Sequence, residues 1–169
     1  EAVYRQATEG MHIDELCEWI RASSSMPIVS QWVEIKEQKL LDGGLADAIP
    51  LRFFNGQGYE RNVVILTQPR GYIKQPNALM PLMRLVYYRH PRFVQTIAQR
   101  HEMYNAQLRY VEAQEKAGKA FVIAPETTLP IQHITHDRQR MQRTYDIGRA
   151  QALALLPQLK AFLENETTR

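Results

Sequence analysis

Two short apolar runs constrain this chain most. They are NVVILT at residues 62–67 and AFVIAP at residues 120–125, with helix-spaced sequence between them. The first is β-branched and unbroken, as in strands buried on both faces, and the second is another short buried-strand candidate. Between them Ile97, His101, Tyr104, Leu108 and Val111 recur at four-three-four-three spacing from Phe93 on, which predicts an amphipathic helix ending near Gly118. Strands separated by helices predict an α/β layer structure with a few-stranded sheet and flanking helices.

The remaining elements fit that plan. Ile13, Leu16, Cys17 and Ile20 predict a short helix over 12–22 with Cys17 packed on its apolar face. Val33 and Ile35 alternate with Glu34 and Lys36, and Leu40 and Leu41 follow a polar Glu37-Gln38 tip, which predicts a hairpin running into Asp42. Pro50 suits the first turn of a helix over about 50–57, and Gly58 its end. Residues 78–90 read as helix, with a break or restart at Pro91. From Met141 to Phe162 the helical spacing returns, and Pro157 is expected to kink or restart that helix.

Length and composition exclude several classes. The chain has 169 residues, 44% of them hydrophobic and 23% charged, with a formal charge of +3. That is apolar material for a real core, and too small a charge excess to imply nucleic acid. One cysteine excludes an internal disulfide framework and a multi-cysteine zinc site. This fits a reducing, cytoplasmic setting. No apolar run approaches the roughly 20 residues of a membrane-spanning helix. The chain opens at Glu1 on sequence typical of mid-domain, so it is expected to be a fragment.

The stretch KLLDGGLADAIP, residues 39–50, carries the chemistry. Asp-Gly is a common turn dipeptide, so Asp42 alone reads as a turn residue. Its context is narrower: a strand, Asp42-Gly43-Gly44, then a helix opened by proline. Functional residues of α/β proteins gather at the C-terminal ends of strands. Two glycines let the backbone turn sharply and approach a reacting group closely. Asp47 reads as a turn or cap residue.

The run RASSSMPIVSQWVEIKEQKLLDGGLADAIPL, residues 21–51, resembles the bacterial branch of the patatin-like phospholipase family. There an Ala-Ser-rich loop and a proline precede a hairpin. The hairpin delivers an Asp-Gly-Gly whose aspartate is half of a Ser–Asp catalytic dyad. The resemblance implies a partial patatin-like α/β fold. Residues 1–127 would be the C-terminal part of the catalytic domain, with inserted helices at about 78–117, and 128–169 a helical extension. It implies a serine-dependent lipid acyl hydrolase acting on a lipid or ester substrate without metal or cofactor. Asp42 would be its general base, with Gly43 and Gly44 in support.

One departure is plain. No glycine in the chain is followed two residues later by serine, so the family's G-x-S-x-G nucleophile is not in this sequence. The glycine-rich oxyanion loop is missing likewise. The fragment alone is therefore expected to be inactive. The alternative is a non-catalytic interaction module on the same scaffold.

Other signals are weaker. His101-Glu102 opens like a zinc-protease helix, but residue 105 is Asn, and the motif fails. His101 then reads as a satisfied, half-buried histidine. His133 and His136 lack a third ligand, so no metal site is expected. RLVYYRHPRF, residues 84–93, interleaves Arg84, Arg89 and Arg92 with Tyr87, Tyr88 and Phe93. It could touch a membrane surface peripherally; a helix packing its aromatics inward is the plainer reading. A nucleic-acid partner is not expected. A partial sheet would expose an edge strand, so self-association is expected.

Overall fold

The computed structural model describes residues 1–131 and 135–164. It divides the chain into two compact units, each built from two sequence segments. The first comprises Glu1–Pro50 and Lys74–Leu108, the second Leu51–Ile73 and Arg109–Arg169.

The first unit opens with helix α1, Ile13–Ser23, whose first turn carries Asp14 and Glu15 and whose last carries Arg21, the order favoured by the helix dipole. Leu16, Trp19 and Ala22 form its inner side, and Ala22 is buried. Cys17 is exposed, as are Ile13 and Ile20. The expected packing face of α1 is therefore the outer one. Both stripes of this helix are apolar, and the one holding Trp19 is the one that packs.

Strands β1 (Val33–Ile35) and β2 (Gln38–Leu40) form an antiparallel hairpin pairing Val33 with Leu40, Glu34 with Lys39 and Ile35 with Gln38. The opposed Glu34 and Lys39 favour that register. The tip is Lys36-Glu37, one residue earlier than expected. Both residues have positive φ, 48° and 65°. A two-residue hairpin turn demands that conformation.

Helix α3, Met80–Val86, is shorter than the sequence implied. It stops at Tyr87, and helix α4, Pro91–Lys116, starts at the proline. The residue before a proline disfavours helix, so His90 lies in the break. Met83, Tyr87 and Ile97 make a buried cluster with Trp32, Met80, Phe93 and Val94 packed against it. Tyr87 meets Trp32 and Phe93 edge-on, and its hydroxyl accepts the Ile28 N–H at 2.9 Å. Val33 is fully buried and roots the hairpin in this unit.

The second unit holds α2 (Leu51–Gly56), β3 (Asn62–Ile65), the end of α4, β4 (Ala120–Ile123) and α5 (Arg138–Glu164). β3 and β4 pair in parallel, Asn62 with Ala120 through Ile65 with Ile123. Val64, Val111, Ala120 and Val122 are buried. The expectation that β3 is buried on both faces is corrected: Val63 is 41% and Ile65 72% exposed. Side chains alternate along a strand, and α5 reaches the face that Val63 and Ile65 share only over β4, where Phe162 packs on Phe121, the register partner of Val63. Arg70 closes the unit with a two-pronged contact to Glu115, at 2.6 and 2.7 Å. α5 runs through Pro157 without restarting. The lost hydrogen bond concerns the Leu153 carbonyl, on an exposed residue where water can replace it.

Candidate active site around Asp42

Asp42 ends the β2 arm and caps a single 3-10 turn, Gly43–Leu45. Its N–H donates to the Ser25 carbonyl at 2.8 Å, tying the hairpin's exit to the end of α1. Its Oδ1 accepts the Gly44 N–H at 2.7 Å. Among the described residues no hydrogen-bond partner is found for Oδ2. The carboxylate is thus held by one oxygen and open at the other.

The two glycines differ. Neither has positive φ, so a left-handed turn is not the reason for either. A Cβ on Gly44 would sit 3.1 Å from Asp42 Oδ1, closer than ordinary contact, whereas one on Gly43 would meet nothing within 4 Å. The Gly44 carbonyl accepts from Arg100 Nε at 2.9 Å, which pins the turn to α4. Beyond Arg100 lies Lys74, whose pKa is lowered by burial and by the Arg100 charge. Asn105 holds the Lys74 backbone on both sides, accepting its N–H at 2.8 Å and donating to its carbonyl at 3.0 Å.

Asp42 lines a cavity of about 580 Å³ within the first unit. Trp19, Trp32, Leu41, Leu45 and Phe93 give it apolar walls, and Lys39, Arg89, His90 and Arg92 bring cationic or titratable groups to it. The indole N–H of Trp19 is buried with no hydrogen-bond partner among the described residues. A largely apolar cleft with a few convergent polar groups is the usual form of a small-molecule or lipid site.

The nearby serines are otherwise engaged. Ser24 Oγ donates to the Ile20 carbonyl at 2.7 Å, and Ser25 Oγ donates to that of Arg21 at 2.8 Å. Ser23 lines the cavity, but no described serine hydroxyl bonds to Asp42. Asp47 is more than the turn or cap residue expected. It accepts from the Tyr4 hydroxyl and from the Gln107 amide, whose oxygen in turn accepts the Ile49 N–H at 3.0 Å. Burial and Asp47 together push the Tyr4 pKa up to about 12.

Residues 2–54 match the patatin-like phospholipase family model. That span contains α1, the hairpin and Asp42-Gly43-Gly44. It supports a patatin-like lipid hydrolase family for this part of the chain. Residues 90–164 match a domain of unknown function, DUF6363. No curated protein matches the chain.

The other sequence signals fare variously. Arg84, Arg89 and Arg92 are exposed, and Arg89 and Arg92 reach the Asp42 cavity while Arg84 does not. His101 is half-buried with Nδ1 3.0 Å from the Ala98 carbonyl, to which it can donate. Among the described residues no three His, Cys, Asp or Glu side chains converge as a metal site. His136 is exposed, and His133 lies outside the described residues. No described helix is long and apolar enough to cross a membrane. Trp19, Arg100 and Tyr4 were not foreseen. Arg100 and Tyr4 act through partners distant in sequence, and no local pattern signals that.

Proposed function

We propose that this chain supplies the base half of a serine-dependent lipid acyl hydrolase, with Asp42 as general base. The observation that carries this reading is a carboxylate fixed through Oδ1, open at Oδ2 and lining an apolar cavity, inside the span that matches the patatin-like family. The serine nucleophile would come from sequence outside this chain. Asp42 would take the serine proton as Oγ attacks the ester carbonyl, then return it to the departing alcohol as the acyl-enzyme forms. Water, activated by the same carboxylate, would release the fatty acid. Residues 1–127 would belong to the hydrolase domain and 128–169 to a helical extension.

The test uses a polypeptide that joins this chain to a G-x-S-x-G segment. Asp42→Asn keeps an oxygen for the Gly44 bond and removes the base. Hydrolysis of a phospholipid ester is expected to fall at least ~100-fold, the usual worth of a positioned base, with the fold intact. An Asp42→Asn variant as fast as the wild type sinks the assignment. A second reading, a non-catalytic interaction module, is favoured by the engaged hydroxyls of Ser24 and Ser25. It leads if the joined protein cuts no acyl ester while Asp42 and the serine are both intact.

A further inference from the structure

Helix α3 carries two apolar faces. Met83 and Tyr87, four residues apart, face the core; Leu82, Leu85 and Val86, at i, i+3 and i+4, share the other side. Leu85 is 73% exposed, Tyr88 is 71% exposed, and Leu82 and Val86 are exposed as well. Around them Arg84, Arg89 and Arg92 are exposed, with no ion pair among the described residues. From Lys74 to His101 the sequence has five cations and no carboxylate.

We propose that this face docks on an anionic lipid surface, Leu82, Leu85, Val86 and Tyr88 entering the headgroup region and the three arginines meeting lipid phosphates and carboxylates. The charge complementarity is one-sided: this stretch holds no acid, and none of the three arginines is ion-paired among the described residues. They are therefore available to an anionic leaflet, although Glu1 and Asp42 line the same cavity as Arg89 and Arg92. Aliphatic side chains beside exposed arginines suit the interface, where one part is apolar and the other wet. Single-stranded nucleic acid would need stacking aromatics instead. Of the three candidates Tyr87 is 8% exposed and Phe93 packs on it, leaving Tyr88. Arg89 and Arg92 also line the Asp42 cavity, so the docking face is continuous with its mouth. The proposal stands apart from the catalytic reading, because docking requires no chemistry.

The test is co-sedimentation of the full chain with phosphatidylcholine vesicles, with and without phosphatidylserine. Binding is expected only with phosphatidylserine and should fade as salt rises. The triple change Arg84→Glu, Arg89→Glu, Arg92→Glu should weaken it about 100-fold, since each basic residue near an anionic leaflet contributes roughly five-fold. Leu82→Ser with Leu85→Ser and Val86→Ser should weaken it at least several-fold at unchanged charge. All six positions are exposed, and Trp32 fluorescence reports whether the core beneath them is kept. The proposal is overturned by absence of phosphatidylserine-dependent binding or by binding that survives charge reversal. It is overturned equally if the serine variant binds vesicles as wild type while oligonucleotide binding depends on the arginines.

Discussion

Gly43 and Gly44 are adjacent and identical, yet their substitution by alanine should change stability with opposite signs. At Gly43 the backbone is not left-handed and a Cβ meets nothing within 4 Å. Alanine there costs no native strain and restricts the unfolded chain, so a gain of about 0.4–1 kcal/mol is expected. At Gly44 the same gain applies, but the new Cβ lies 3.1 Å from Asp42 Oδ1. Either the carboxylate retreats and its bond to the Gly44 N–H at 2.7 Å weakens, or the turn moves against Arg100. Hydrogen bonds to charged groups contribute about 1.5–3 kcal/mol, so Gly44→Ala should be net destabilising by about 1–2 kcal/mol. Urea unfolding followed by tryptophan fluorescence suits the measurement, because Trp19 and Trp32 both belong to the first unit. Equal shifts for the two variants, or a larger loss at Gly43, would refute the reasoning. A stable Gly43→Ala protein that loses activity in the joined hydrolase would add something further. Gly43 would then be kept for the close approach of substrate rather than for folding.

The Tyr4–Asp47 contact should show as a pH dependence. The folded pKa of Tyr4 is raised from 10 to about 12, so the neutral hydroxyl is the form the fold favours. Its contribution is complete below pH 10 and is lost as pH climbs towards 12. Unfolding midpoints of wild type and Tyr4→Phe should therefore converge between those values, and a gap that stays constant through the range contradicts the assignment. Self-association through an exposed strand edge is the other expectation. With Val63 and Ile65 exposed on β3, light scattering should give a mass above 19.7 kDa that grows with concentration. Val63→Lys with Ile65→Lys should restore the monomer value; a wild-type chain that is monomeric throughout rules this out.

What was legible in the sequence was local. Alternation at Val33–Ile35 and the stop at Asp42 specify a hairpin, because both depend only on neighbouring residues. Its tip slipped by one, since Lys36 and Glu37 adopt positive φ without the glycine or asparagine that normally announces it. The spacing in α1 predicts a helix but not which of two apolar stripes packs. An apolar run such as NVVILT identifies a strand, while the number of buried faces depends on what lies over it. The least legible features join residues far apart: Arg100 to Gly44, Gln107 to Asp47, Tyr87 to Ile28. They hold the candidate site together, and no periodicity or motif encodes them.

The readings of Asp42 as turn residue and as base are not rivals, because a carboxylate has two oxygens. Oδ1 is used by the Gly44 N–H to cap the turn. That bond limits rotation of the carboxylate and so fixes where Oδ2 can be. A general base needs such positioning within hydrogen-bond reach of the proton it takes. The cap is therefore part of what would make the base effective. It follows that Asp42→Asn and Asp42→Ala should part company. The amide oxygen of Asn keeps the cap, and loss of activity without loss of stability isolates the proton-accepting role. Ala removes cap and base together, and an N-cap lost in this way costs about 1 kcal/mol. If both variants were equally destabilised, Oδ1 would not be holding the turn, and the argument for a positioned Oδ2 would fall with it.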